Sequence, residues 1–238
     1  MVYALLLAHL LGDFVFQTDA VARWKSRSVL GVLVHGAIIT VSTMICIMWF
    51  GSDAWLVSVA IGVSHAAIDL VRCRVSHKGL SAGRELWLFI GDQALHLIAI
   101  GIVLGLDGNP PVASLNETLP SLFNPQWQAI AIGYCLLTTP AWVAVRFVVR
   151  GLWGAAAAPP LTQGDKYGCM IERLLIATCI LLRQPVWVPL VVAIRPVLKQ
   201  LDRSTRTIAS FDYPAQWVET MLSTSVAVVI GVFLQSRI

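Results

Sequence analysis

"VLGVLVHGAIITVSTMICIMWF" (Val29–Phe50) runs for 22 residues without one charged side chain. An α-helix rises about 1.5 Å per residue, so about 20 apolar residues cross the roughly 30 Å of hydrocarbon in a bilayer. This stretch therefore reads as a transmembrane helix, with one histidine, His35, in its first half. Similar runs lie on both sides of it: Val2–Phe16, Trp55–Val71, Leu86–Leu106, Trp127–Val149, Tyr167–Leu182, Val186–Leu201 and Val218–Leu234. The fold class is all-α, a polytopic transmembrane bundle of about seven or eight spans. The first, sixth and seventh are short; the last two of these meet at Arg183–Pro185, a tight hairpin or a re-entrant loop. Pro140 predicts a kink in the fifth.

Composition agrees. Of 238 residues, 57% are hydrophobic and 13% charged, where soluble domains carry about 25% charge. Mean hydropathy is +0.76. The net charge of +4 sits in short connections, so nucleic acid is not expected as a partner; membrane lipid is, and an oligomer is compatible. The five cysteines form no C-x-x-C pair, hence neither a disulfide framework nor a zinc knuckle is indicated. No basic stretch precedes the first apolar segment, so a cleaved leader is not expected.

Lys and Arg orient the helices. Fourteen of the 17 lie on alternate connections: Arg23–Arg27, Arg72–Arg84, Arg146–Lys166 and Arg195–Arg206. Those connections are expected in the cytoplasm, and both termini outside. "AAAAPPLTQG" (Ala155–Gly164) reads as a linker. It divides a five-span N-terminal bundle (1–154, linker 155–166) from a C-terminal hairpin and last span (167–238).

Polar residues inside the spans carry the functional signal. "HLLGD" (His9–Asp13), "HAAID" (His65–Asp69) and "DQALH" (Asp92–His96) each hold a histidine and an aspartate four residues apart, on one helix face about one turn apart. The first and third helices run inward and the fourth outward. In each, therefore, the aspartate lies nearer the cytoplasm and the histidine one turn deeper. His35 adds a fourth helix at similar depth. A layer of His9, His35, His65 and His96 thus faces a layer of Asp13, Asp69 and Asp92. A carboxylate at mid-membrane costs about 2.5–3.5 kcal/mol on insertion scales and marks a functional interior. Imidazoles and carboxylates on facing helices build metal sites in bundles. Gln17, one turn after Asp13, is expected at the site's mouth. Gln93, next to Asp92, is expected on another face. Gly12, Gly62 and Gly91 are expected to permit close helix packing. A Glu172–Arg195 ion pair is plausible near the hairpin, Leu198–Tyr213 could lie as a basic interfacial helix, and His77 reads as a loop residue.

"LLLAHLLGDFVFQTD", "VLVHGAI", "VSHAAIDLVRCR" and "GDQALHLI" resemble the hallmark segments of a bacterial membrane family catalogued as domain-of-unknown-function family number 3307, over about the first 105 residues. The resemblance implies an all-helical integral membrane protein of the bacterial inner membrane and leaves the function open.

The residues point first to a metal-dependent, hydrolase-like membrane enzyme. The four histidines and one or two aspartates would ligate a divalent metal, zinc first, and a remaining aspartate would take the proton of an attacking water. No nucleophile motif, phosphate loop or H-E-x-x-H occurs, and the substrate is unknown. A proton- or ion-coupled transporter or channel is the alternative, since His–Asp chains suit proton relays. Third come a non-catalytic scaffold and a haem-binding bundle.

Overall fold

The computed structural model describes residues 1–51, 53–76, 80–106, 124–154, 163–194 and 213–237. It is all-helical over them. The helices are α1 (Val2–Leu10), α2 (Asp19–Lys25), α3 (Val29–Ile47), α4 (Ala54–Ser76), α5 (Ala82–Leu106), α6 (Pro125–Leu137), α7 (Thr139–Trp153), α8 (Gln163–Leu181), α9 (Pro185–Ile194) and α10 (Tyr213–Gln235). They fall into two compact units, Met1–Cys135 and Leu136–Ile238, with the boundary inside the expected fifth span. Most of the expected linker (155–162) lies outside the described residues.

Four helical stretches are long and apolar enough to cross a membrane: Val29–Phe50, Ala54–Ser76, Ala82–Leu106 and Trp217–Gln235. Two bent pairs raise the number to six if each is one span. The first pair is Val2–Val15 with Asp19–Lys25, turned by 89°. There the helix ends after Phe16, and Thr18 starts a new one by accepting a hydrogen bond from the Val21 N–H. The second is Pro125–Leu137 with Thr139–Trp153, bent by 42° where Pro140 opens α7. The expected sixth span, Tyr167–Leu182, falls largely within α8, a longer helix that also carries Asp165 and Lys166 beside Glu172 and Arg173 and does not qualify as a span. The expected seventh is described only to Ile194, as the short apolar α9.

In the first unit α3 packs along α4, with α1 and α2 against α3 and α5 against α4. Ser28 caps α3 by accepting from the Leu30 N–H at 3.1 Å. Close approach of α3 and α4 needs glycine. A Cβ on Gly62 would lie 1.8 Å from Thr40 Oγ1 and 2.9 Å from the Gly36 carbonyl oxygen. One on Gly12 would strike Ile39 Cδ1 at 2.6 Å. Gly91 does not share this role: a Cβ there meets nothing within 4 Å. Ala4, Leu5, Ile39, Ile47, Ala54, Val57, Ile61 and Ile100 fill the apolar core between α1, α3, α4 and α5. The outer faces keep large apolar side chains exposed, among them Val29, Leu33, Val41, Ile45, Val63, Leu97 and Ile98. This is the pattern of helices whose solvent is lipid.

In the second unit α8 packs on α10 through Ile176, Ala177, Ile180 and Ala227. Arg183, at φ +59°, closes α8 in the left-handed region, and the Gln184 N–H bonds back to the Cys179 carbonyl at 2.8 Å. Arg183–Pro185 is thus a tight helical turn. Arg173 is fully buried: its guanidinium donates to the carbonyls of Leu137 (2.7 Å) and Thr138 (3.1 Å) and to Ser223 Oγ (3.0 Å). It binds α8 to the α6–α7 bend and to α10. Arg195, His77 and nearly all of Leu198–Tyr213 lie outside the described residues.

Candidate metal centre

Each polar residue reaches the site by ordinary helix periodicity. On α4, His65 and Asp69 share a face, with His65 Nε2 3.4 Å from Asp69 Oδ2. On α5, His96 Nε2 lies 3.6 Å from Asp92 Oδ1. α3 brings in His35, whose Nε2 lies 3.1 Å from both Asp13 Oδ1 and His65 Nε2. All four intramembrane histidines and all three aspartates are buried. The imidazoles form one cluster: ring centroids are 3.9 Å apart for His65–His96, 5.0 Å for His35–His65, 5.3 Å for His9–His96 and 5.6 Å for His9–His65.

The first pair departs from the expected pattern. Beyond Leu10 the helix widens into a π turn, Leu11–Val15. The extra residue per turn rotates Asp13 away from the position one α-turn below His9. Asp13 pairs instead with His35 and, at 3.6 Å, with His65. His9 contributes ring contacts to His65 and His96.

Two sets of donors converge closely enough to hold a metal ion: Asp13, His35 and His65, and His65, Asp69 and His96. Within each set the ligand atoms lie within 4.8 Å of one another. His65 belongs to both; His9 and Asp92 belong to neither. His96 Nε2, Asp92 Oδ1, His35 Nδ1 and Gln17 Oε1 are buried without a hydrogen-bond partner. Buried polar atoms are nearly always satisfied. Two of these four, His96 Nε2 and Asp92 Oδ1, face each other at 3.6 Å, just beyond hydrogen-bond reach.

Two basic residues that served only to orient the sequence prove to be part of the site. Lys25 Nζ lies 3.1 Å from both oxygens of Asp69 and 3.9 Å from Asp13 Oδ1. Arg72 Nη1 lies 2.5 Å from Asp92 Oδ2. Arg72 had a readable signal, since it follows Asp69 by three residues on the same face of α4. Lys25 had none, because the turn between the first helix and α2 decides where it points. Gln93 also differs from expectation: its amide reaches into the site, donating to Asp92 Oδ2 at 3.1 Å and toward Asp13 Oδ2 at 3.4 Å. Gln17 lies in the break after the π turn, its side-chain oxygen buried as noted.

A family model described as "Protein of unknown function (DUF3307)" matches residues 1–122, and the chain belongs to that family. The match contains every histidine and aspartate of the centre. No curated protein and no solved structure matches the chain.

Proposed function

We propose that this member of the DUF3307 family is a metal-dependent membrane enzyme, hydrolytic in type, of the bacterial inner membrane. The observation that carries the proposal is the pair of three-donor sets sharing His65, the second of which includes His96, whose Nε2 makes no hydrogen bond. Three buried carboxylates are costly in a bilayer unless compensated. Lys25 and Arg72 compensate two of them. A divalent cation held by either donor set would compensate the remainder. Histidines with one or two carboxylates are a zinc ligand set, and a ligated zinc supplies Lewis acidity and lowers the pKa of water. Asp13, Asp69 or Asp92, whichever stays outside the ligand set, is placed to accept a proton. Gln93 orients Asp13 and Asp92 by its amide hydrogens.

The site opens to the cytoplasm in this reading. Its carboxylates face Lys25 and Arg72, which lie at the ends of helices that lead into basic connections, and basic connections stay inside. A proton- or ion-conducting path is less well supported. On the far side of the histidines Ser42 and Ser58 are buried, but their hydroxyls donate to the Ile38 and Ala54 carbonyls of their own helices. Thr43 is buried there too, its Oγ1 without a hydrogen-bond partner, so among the described residues no hydrogen-bonded chain runs on from the histidines. A haem would need space between paired imidazoles, whereas His65 and His96 stack at 3.9 Å.

Elemental analysis of the purified protein tests the proposal. About one zinc per chain is expected in the wild type and a large loss in His65→Ala, which removes a donor from both sets. Substoichiometric metal in both, even after supplementation, would sink it.

A further inference from the structure

We infer that the centre is built to take a phosphate group, held by Lys25 and Arg72. The inference rests on the metal reading above and deepens it.

Charge leads to it. The site holds three carboxylates, Asp13, Asp69 and Asp92, against two cations, Lys25 and Arg72. Imidazoles that ligate a metal are neutral. With a divalent ion ligated by neutral imidazoles, the three carboxylates and two cations leave the loaded site one net positive charge. Surplus charge is expensive among buried groups. An anion bound with the metal removes it.

Position says which residues meet that anion. The side chains of the four histidines and three aspartates are all nearly inaccessible. On the aspartate side the Arg72 side chain is 28% exposed and that of Lys25 12%. These two cations are the most exposed charged groups of the site. A metal that takes Asp69 as a ligand also releases Lys25 from it, because an ammonium and a metal ion compete for the same carboxylate oxygens. Lys25 is the last residue of a short helix outside the core. Its helix, α2, has no buried residue and follows the 89° turn. The helix end is nonetheless held close to α3. A Cβ on Gly31 would lie 2.5 Å from the Trp24 carbonyl carbon, and Cys73 Sγ donates to the Lys25 carbonyl oxygen at 3.6 Å. The ammonium can swing from Asp69 to an incoming anion while its backbone stays in place. The planar fork of Arg72 suits two phosphate oxygens, and Lys25 adds a point charge.

The experiment loads the full-length protein in detergent with zinc, removes excess zinc by gel filtration, and titrates inorganic phosphate calorimetrically beside a chelator-treated sample. Phosphate is expected to bind the loaded protein only. Lys25→Met and Arg72→Met are each expected to weaken phosphate by about tenfold or more, as loss of a close charge contact does. Lys25→Met is also expected to keep or tighten zinc, because a competitor for Asp69 is gone. A residue that merely held the fold would weaken both ligands together, and that result overturns the inference. So does equal phosphate binding with and without zinc, or wild-type affinity in both variants. Zinc retained without phosphate binding rejects this inference alone; a wild type that retains no zinc rejects the metal reading with it. Repeating the titration in phosphatidylcholine vesicles with and without phosphatidic acid assigns the source. Suppression by phosphatidic acid marks a lipid headgroup as the natural ligand, and an unchanged signal marks a soluble phosphate ester.

Discussion

His65 is the residue on which both donor sets depend, and its surroundings show why single substitutions should act unequally. It touches Asp13, Asp69, His35, His9 and His96. His9 belongs to neither set, so His9→Ala should lower zinc occupancy far less than His65→Ala when both are measured by elemental analysis. Arg72 tests the charge argument at the same scale. Arg72→Met leaves the Asp92 carboxylate buried without its cation, and a charged hydrogen bond of this kind is worth about 1.5–3 kcal/mol. Thermal unfolding in detergent should show that loss without metal and a smaller one with zinc present, since the metal takes over as counter-ion. Equal losses with and without zinc would contradict it. The His–Asp pairs were legible in the sequence because a spacing of four residues on an α-helix fixes a shared face. Asp13 was not legible in detail, because a π turn leaves no mark in residue spacing. Lys25 was not either, because its contact with Asp69 spans 44 positions of sequence.

At the scale of the helices, the site is as exact as the approach of α3 to α4. Gly62→Ala pushes a methyl group into Thr40 and the Gly36 carbonyl; such overpacking costs about 1–3 kcal/mol. It should also weaken zinc, because His35 and His65 ride on the two helices being separated. Gly91→Ala, with open space around it, should be neutral or stabilising by up to about 1 kcal/mol through helix propensity. Thermal unfolding of the two variants side by side checks the contrast, and similar losses in both would refute it. Sequence alone put all three of Gly12, Gly62 and Gly91 at helix contacts; which glycines face a neighbour depends on rotations about the helix axes that periodicity does not supply. In the second unit Arg173→Met removes three hydrogen bonds from the α6–α7 bend and from Ser223. The expected cost is about 1–3 kcal/mol for each buried acceptor left unpaired, with no rescue by Arg173→Lys, whose single ammonium cannot span the same acceptors. An unfolding midpoint close to wild type would argue against the role.

For the molecule as a whole, chemistry and family membership coincide in the first half of the chain. The family match ends at residue 122 and the first compact unit at Cys135, and both contain the entire His/Asp cluster. The apolar runs made the membrane class readable from composition. The number of spans was harder, because breaks at Phe16–Thr18 and Thr138 and the four charges on α8 divide or disqualify runs that look continuous by hydropathy. What the centre does chemically turns on whether the clustered donors hold a metal, and X-ray absorption at the zinc edge of the loaded, purified protein asks this of the ligands themselves. The predicted spectrum shows nitrogen and oxygen neighbours at about 2.0–2.2 Å with the outer-shell pattern of imidazoles, weakened in His65→Ala and in His96→Ala. A spectrum dominated by sulfur, or one that neither substitution changes, would contradict the metal centre.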